Sequence, residues 1–121
     1  MKANEIQIGD WVEPRQCMIP TVYCKVEGIY PDGTVHLDKA EMLFTLDELA
    51  PVPLTPEILE KNGFYYDENK KAYLMGVIFQ IKSERYGLFS FKICGCPYSL
   101  NTVHELQHAL RLCGIEKTIE L

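Results

Sequence analysis

The most chemically suggestive stretch of the chain is TVHELQHALRLCG, residues 102–114, because it contains the pattern H-E-x-x-H. In zinc-dependent peptidases, two histidines at this spacing on a helix bind zinc and the intervening glutamate acts as general base. His104, Glu105 and His108 occupy these positions. A zinc-dependent hydrolase is therefore one functional alternative, with His104 and His108 as metal ligands and Glu105 as the catalytic base.

A helix cap accounts for the same glutamate without catalysis. Thr102 and Glu105 match the capping box, in which the threonine oxygen accepts from the amide three residues on and the glutamate reaches back to the cap. With about 100° of rotation per residue, one stripe of this helix is apolar and predicted to face the core: Val103, Leu106, Ala109, Leu110 and Cys113. His104 and His108 then share the opposite face, which we expect to be exposed to solvent.

The zinc alternative also needs a third ligand, which such peptidases usually supply from downstream. The only carboxylates that follow His108 are those of Glu116 and Glu120. The remaining histidine, His36, lies in the first fifty residues, and Arg111 stands where the extended peptidase pattern has glycine. We therefore favour the cap and predict that the protein binds no metal and no cofactor.

The five cysteines are Cys17, Cys24, Cys94, Cys96 and Cys113. An odd number without an export signal predicts reduced thiols that pack as small apolar residues. Cys94 and Cys96 would share one face of a strand, but zinc sites more often use two closely spaced pairs. Cys17 and Cys24 are too far apart in sequence to form the second pair, so we favour packing.

Composition narrows the class of protein. The chain has 121 residues, of which 47% are hydrophobic, so it can bury a core as one domain or as two small subdomains. A formal net charge of −5 argues against electrostatic binding to nucleic acid. No apolar run is long enough for a membrane span, and the start MKANEIQIGDW lacks the apolar segment of a signal peptide. We expect a cytoplasmic protein that does not enter membranes.

Residues 1–50 are predicted to be β structure. The segment TVYCKVEGIY alternates, with Cys24 and Val26 on its apolar face, and YPDGT supplies a turn. TVHLD then returns with His36 pointing outward, and EMLFTLDEL is predicted to be one further strand. Several short strands joined by tight turns predict a small β-barrel-like subdomain.

The segment APVPLTPEILEKNGF is predicted to separate this part from the rest. Pro51 and Pro53 favour an extended connector that interrupts strand pairing. Thr55 then matches a helix N-cap, Pro56 the first helical position, and the Asn-Gly pair at 62–63 a helix stop. A helix this short has to pack against the remainder of the chain to be stable.

The pattern returns to strands after this helix. GFYYDENKKAYLM is predicted to form a hairpin with its polar tip at residues 67–71, and YLMGVIFQI and RYGLFSFKICG are prone to form strands. The helix at residues 102–114 and a short final strand, EKTIEL, follow. Residues 51–121 are thus predicted to be an antiparallel sheet with two packed helices, and the whole chain to be an α+β protein.

Aromatic residues provide the remaining candidates for binding. Trp11 is predicted to belong to the core rather than to stack on a ligand. Four tyrosines of the second part form a candidate interaction surface, because exposed tyrosines are common in protein interfaces: Tyr65, Tyr66, Tyr73 and Tyr86. The chain has no glycine-rich phosphate loop and no G-x-S-x-G elbow. We therefore expect a non-enzymatic protein.

Three segments, IGDWV, LTPEILEKNGF and VHELQHALRLCGI, resemble a group of small uncharacterised proteins of gut-bacterial genomes, often found beside phage or mobile-element genes. The resemblance covers essentially the whole chain. No activity is established for the group, so it implies no functional residue here. It agrees with an accessory role associated with a phage or mobile element.

We therefore predict a non-enzymatic protein-interaction or accessory module whose partner is another protein. The zinc-dependent hydrolase is the first alternative. A nucleic-acid-binding accessory protein is the second, because small β barrels can bind nucleic acid, although the acidic charge argues against it.

Overall fold

The computed structural model describes residues 1, 5–15, 22–75, 79–84, 88–93 and 96–121. The chain divides into two compact units, Met1–Val52 and Pro53–Leu121. Each unit contains one five-stranded antiparallel sheet. Neither helix of the described residues has the length and apolar character that crossing a membrane requires.

The first sheet has the strand order β4-β3-β2-β1-β5. Its strands are β1 (Trp11–Pro14), β2 (Cys24–Ile29), β3 (Thr34–Leu37), β4 (Leu43–Thr45) and β5 (Leu49–Pro51). The beginning of β2 pairs with β1 and its end pairs with β3, with a register shift between Val26 and Gly28. Such a bulge bends a strand and increases its twist, so β2 can serve both halves of the sheet.

Alternation along these strands places the core of the first unit on one face. The buried cluster comprises Ile6, Val12, Cys24, Val26, Val35, Leu37, Phe44 and Leu49. In β3 the buried residues Val35 and Leu37 flank His36, which is partly exposed. This is the period of two that a half-buried strand requires.

The second sheet is a meander with the strand order β10-β9-β8-β7-β6. Its strands are β6 (Tyr65–Asp67), β7 (Ala72–Met75), β8 (Phe79–Ser83), β9 (Phe89–Ile93) and β10 (Cys96–Ser99). Helix α1 (Pro56–Lys61) precedes the sheet and helix α2 (Val103–Leu112) follows it. The strands β6 and β10 are therefore the two edges of this sheet.

Both helices begin and end as the sequence predicts. Thr55 caps α1 by accepting from the Ile58 amide at 3.3 Å, and Thr102 caps α2 in the same way. Gly63 and Gly114 have φ of 89° and 71°, the left-handed conformation that favours glycine. In both helices the amide after this glycine donates to a carbonyl five residues earlier, which is the Schellman stop.

The predicted α+β class is wrong, because most of the regular structure is strand. Ten strands form two sheets, whereas α-helix is limited to six residues in α1 and ten in α2. The barrel-like closure of the first unit is also wrong. A three-residue 3-10 turn, Leu46–Glu48, carries the chain from β4 to β5, and β5 then pairs with β1. Since β4 and β5 end up at opposite edges, the sheet stays open among the described residues.

The prolines of the connector do not interrupt pairing as predicted. Pro51 lies in β5 opposite Val12, and Pro53 forms an isolated bridge with Thr102. Proline lacks an amide proton but is tolerated at an edge strand, which β5 is. The predicted single strand EMLFTLDEL is likewise divided by the 3-10 turn into β4 and β5.

The predicted final strand EKTIEL does not form. Residues 115–121 have no helix or strand, yet Ile119 is only 1% exposed. The side chain of Asn62 replaces the missing strand partner: its Nδ2 donates to the Glu120 carbonyl and its Oδ1 accepts from the Glu120 amide, both at 2.7 Å. The same Nδ2 also donates to the Ile58 carbonyl at 2.8 Å.

Two leucines of the first sheet test this assignment of its core face. Leu37 in β3 is fully buried, and Leu43 in β4 is about half exposed. We expect Leu37→Ala to lower the free energy of unfolding by roughly 2–5 kcal/mol through a core cavity. Leu43→Ala, the matched control, should change it by no more than about 0.5 kcal/mol. Urea denaturation measures both, and equal losses would contradict the placement of these strands.

Candidate functional site

The glutamate of the H-E-x-x-H pattern is engaged in capping helix α2. Its Oε1 accepts from the Thr102 hydroxyl at 2.8 Å and from the Asn101 amide at 3.4 Å. The Glu105 amide in turn donates to the Thr102 hydroxyl oxygen at 3.4 Å. The predicted reciprocal cap is present, although the backbone donor to Glu105 is Asn101 rather than Thr102. Both hydrogen bonds fall on Oε1, and they tie this carboxylate to the start of the helix.

A second copy of the pattern T-x-x-E occurs in the first unit, with no histidine beside it. There the Oε1 of Glu48 accepts from the amide and from the hydroxyl of Thr45, both at 3.0 Å. The same four-residue spacing therefore produces the same contact in both units. This repetition supports capping as the reason for Glu105.

The prediction that His104 faces solvent is wrong. Its side chain is only 6% exposed, and His108 is partly buried. The two rings pack edge to face with centroids 5.6 Å apart. Helix α2 is buried around most of its circumference. Its exposed face is therefore narrower than the apolar stripe of the sequence predicts. The buried residues are Val103, His104, Leu106, Gln107, Ala109 and Leu110.

His104 also contacts the cap residue of α2. Its Nδ1 lies 3.2 Å from the Thr102 hydroxyl oxygen. The Thr102 hydroxyl donates to the carboxylate of Glu105 at 2.8 Å, and the imidazole can donate or accept in its contact with Thr102 according to its tautomer. The imidazole, the hydroxyl and the carboxylate form one chain of hydrogen bonds at the start of α2.

Metal ligands do not converge elsewhere in the described part of the chain. Among those residues, no group of three His, Cys, Asp or Glu side chains is close enough to hold a metal ion. Cys17 and Cys94 lie outside the described residues. His36 pairs instead with Glu27, with 3.4 Å between Nδ1 and Oε2.

Two cysteines have opposite environments. Cys24 is buried in the first unit, whereas Cys113 is exposed, contrary to its predicted place on the core stripe of α2. Cys113 is the C-cap of the helix, where the chain leaves the packed face. Burial raises the pKa of the Cys24 thiol, and the nearby carboxylate of Asp38 raises it further. Cys24 therefore behaves as a small apolar residue.

Trp11 is buried, as the sequence predicts. The Nζ atoms of Lys25 and Lys39 lie 5.0 and 5.7 Å from the centroid of its ring. Long lysine side chains can cover an aromatic ring while their ammonium groups stay in water. This contact holds the ring within the first unit and leaves little of it to stack on a ligand.

The candidate tyrosine surface is smaller than predicted. Tyr65 and Tyr66, which lie on β6, are 56% and 44% exposed. Tyr73 is only 7% exposed and packs beneath Tyr66, with ring centroids 5.1 Å apart, so it belongs to the core. Tyr86 lies outside the described residues. We call Tyr65 and Tyr66 the tyrosine edge.

Carboxylates of α1 influence the buried Tyr73. Burial raises the pKa of the Tyr73 phenol, and the charge of Glu60 raises it further, with smaller contributions from Tyr66 and Glu57. Both glutamates are exposed. The two carboxylates therefore act on Tyr73, against which Tyr66 packs.

Sequence reasoning missed an exposed tyrosine at the opposite edge of this sheet. Tyr98 in β10 is half exposed, and its ring packs against buried Phe91 with centroids 5.8 Å apart. The surrounding segment, CPYSLN, shows no clear alternation of polar and apolar residues. The order of the strands could have predicted it, because the last strand of a meander lies at an edge of the sheet.

No family model matches the chain, and no curated protein or solved structure is similar to it.

Removing the cap tests the interpretation of the H-E-x-x-H pattern. We expect Thr102→Ala to lower the free energy of unfolding by about 1 kcal/mol or more, because Glu105 and His104 both lose a partner. Thr118→Ala, at an exposed position, is the control and should change it by no more than about 0.5 kcal/mol. Addition of a chelator should leave both values unchanged. Stoichiometric zinc in the purified protein, with loss of stability on chelation, would instead support the hydrolase alternative.

Thiol labelling tests the two cysteine environments. In the folded protein at pH 8 we expect iodoacetamide to modify Cys113 and to spare Cys24, because burial and the raised pKa keep the Cys24 thiol protonated. Peptide mass spectrometry identifies the modified residues. Unfolding in urea should abolish the difference. Equal labelling of the two residues in the folded protein would contradict the burial of Cys24.

Proposed function

We propose that the chain is a non-enzymatic protein-interaction module that binds a partner protein through the tyrosine edge. The observation that carries the proposal is the exposure of two consecutive tyrosines, Tyr65 and Tyr66, on an edge strand. Successive residues of a strand point to opposite faces. A partner seated along β6 would therefore contact one ring on each side of the strand.

Tyrosine is suited to such a contact. Its ring provides a large apolar area, while its hydroxyl tolerates exposure to water in the free protein. With only two side-chain torsions it loses little conformational entropy on binding, and it is enriched among residues that dominate binding energy. The packing of Tyr66 on buried Tyr73 also holds one ring in place before binding.

The backbone of β6 can add to this contact. Among the described residues β6 pairs only with β7, so one of its sides has no neighbouring strand. An extended segment of a partner can pair with such an edge. Since β6 has only three residues, the tyrosine side chains should contribute more than main-chain pairing.

Charge favours a partner with a basic surface. The charges of exposed Glu57 and Glu60 act on Tyr73, against which Tyr66 packs, and the chain carries a net charge of −5. Complementary charges at the rim of an interface raise the rate of association and select among partners. The resemblance of three segments to proteins near phage and mobile-element genes supports an accessory role on such an element. The protein would there bind a basic protein encoded alongside it.

Photo-cross-linking tests this proposal in the cells that encode the chain. A benzophenone amino acid at position 65 should cross-link to one defined protein. The same group at Tyr30, a half-exposed tyrosine of the first unit, is the matched control and should not. Equal products from both positions, or none from position 65, would contradict the proposal. A product removed by nuclease would instead favour the nucleic-acid alternative.

Affinity measurements with the cross-linked partner then test the role of each group. We expect Tyr65→Ala with Tyr66→Ala to weaken binding at least about tenfold, and Tyr30→Ala to leave it unchanged. Glu57→Gln with Glu60→Gln should slow association and reduce its dependence on salt. Titration calorimetry and stopped-flow kinetics measure these effects. A Tyr30→Ala variant as weak as the double variant would place the interface elsewhere.

A further inference from the structure

Asn62 is followed by Gly63, and of the four asparagines of the chain only this one precedes glycine. In such a pair the glycine nitrogen can attack the side-chain carbonyl carbon, because glycine has no side chain to hinder it and its backbone turns freely. A bond forms between the Gly63 nitrogen and Cγ of Asn62, the bond from Cγ to Nδ2 breaks, and ammonia leaves with the proton of the glycine nitrogen. Water then opens the cyclic imide at either carbonyl and leaves aspartate or isoaspartate at position 62.

The fold keeps the two reacting groups apart. Asn62 is buried, its Nδ2 donates to the carbonyls of Ile58 and Glu120 at 2.8 and 2.7 Å, and its Oδ1 accepts from the Glu120 amide at 2.7 Å. The Gly63 amide donates to the Glu60 carbonyl at 3.2 Å. Asn62 has a ψ of 17°, which places the glycine nitrogen on the far side of the Cα–C bond from the side chain. Ring closure therefore requires these hydrogen bonds to break and the backbone to turn.

Opening of the end of α1 provides what ring closure requires. A helix of six residues is not stable alone, and Asn62 and Gly63 follow its last residue, where a helix opens first. Release of Asn62 from the closing segment, residues 115–121, frees its side chain. Release of the Gly63 amide from Glu60 frees the attacking nitrogen. Ring closure is slower than such openings, so its rate follows the equilibrium fraction of open molecules.

The product does not fit the closed structure. A carboxylate at position 62 has no proton to donate, so the oxygen that replaces Nδ2 would face the carbonyls of Ile58 and Glu120 without a hydrogen bond. Its charge would also be buried, which is unfavourable. Isoaspartate adds a carbon atom to the main chain between α1 and β6, where the Phe64 amide donates to the Leu59 carbonyl. Either product therefore keeps the end of α1 open.

We propose that Asn62 and Gly63 form a deamidation site that the folded second unit keeps unreactive, and that the reaction makes an opening of the end of α1 irreversible. The closed structure protects the asparagine, the open structure exposes it, and the product prevents closure. The reaction consumes only water and needs no enzyme. It does not depend on the tyrosine edge, but it limits the lifetime of that edge, because β6 begins at Tyr65.

Peptide mapping of the full chain after incubation at mildly alkaline pH tests the protection. In guanidinium chloride we expect Asn62 to deamidate fastest of the four asparagines. In native buffer its rate should fall at least about tenfold, because only the open fraction reacts. Asn69, which is exposed and precedes Lys70, is the matched control, and its rate should change much less. Equal rates at Asn62 in the two buffers, an equal fall at Asn69, or no reaction in denaturant would overturn the proposal.

Variants of two threonines test where the opening occurs. Thr55→Ala removes the side chain that caps α1, so it should raise the native deamidation rate of Asn62 at least about twofold. Thr45→Ala removes the corresponding threonine of the first unit and should leave that rate unchanged. An unchanged rate in Thr55→Ala, or an equal increase in both variants, would show that α1 does not control the reaction and would overturn the proposal.

Asn62→Asp reproduces one product of the reaction and tests whether the structure can close again. We expect this variant to have a folding equilibrium constant at least about tenfold smaller than that of the wild type, because two carbonyls lose their donor. Asn69→Asp, which places the same charge at an exposed position, is the matched control and should equal the wild type. Guanidinium titration followed by circular dichroism measures both. An Asn62→Asp variant as stable as Asn69→Asp would overturn the proposal.

Discussion

The second unit depends on one buried side-chain amide. Asn62 joins the end of α1 to the closing segment through three hydrogen bonds, and each partner is a backbone group. A backbone amide or carbonyl left unpaired in the interior costs about 1–3 kcal/mol. Residues 115–121 form no strand, so no ladder of a sheet pairs their backbone groups. The amide of Asn62 supplies the missing pairing and lets Ile119 be buried without an eleventh strand.

Features that depend on a few neighbouring residues could be predicted from the sequence. The caps at Thr55 and Thr102 and the stops at Gly63 and Gly114 all follow from local hydrogen bonding and from allowed φ angles. Burial is different, because it depends on what covers a side chain from elsewhere in the chain. The period of helix α2 predicts that His104 faces solvent, yet it is buried. Its contacts with Thr102 and His108 are local, whereas its burial depends on the rest of the unit.

The sequence also does not predict which strands form the edges of a sheet. The pattern of alternation identifies strands, but it does not say which strand lacks a neighbour. Pro51 predicts a break, because proline interrupts a central strand, whereas β5 is an edge and accepts it. The sequence predicts that Tyr73, like Tyr65 and Tyr66, is exposed on the sheet. The structure separates them, since β7 lies between two strands and β6 does not.

One buried leucine fixes the position of helix α1 in the second unit. Helix α1 has only six residues, too few to be stable alone, so its position is set by packing, and Leu59 is its fully buried residue. With Leu59 fixed, Glu57 and Glu60 are exposed, and Asn62 is placed at the helix end, where it meets Glu120. The Schellman bond from the Phe64 amide to the Leu59 carbonyl then directs the chain into β6. The short helix α1 therefore positions Glu57 and Glu60, the contact of Asn62 with Glu120, and the start of the strand that carries Tyr65 and Tyr66. A change in the packing of α1 would move all three.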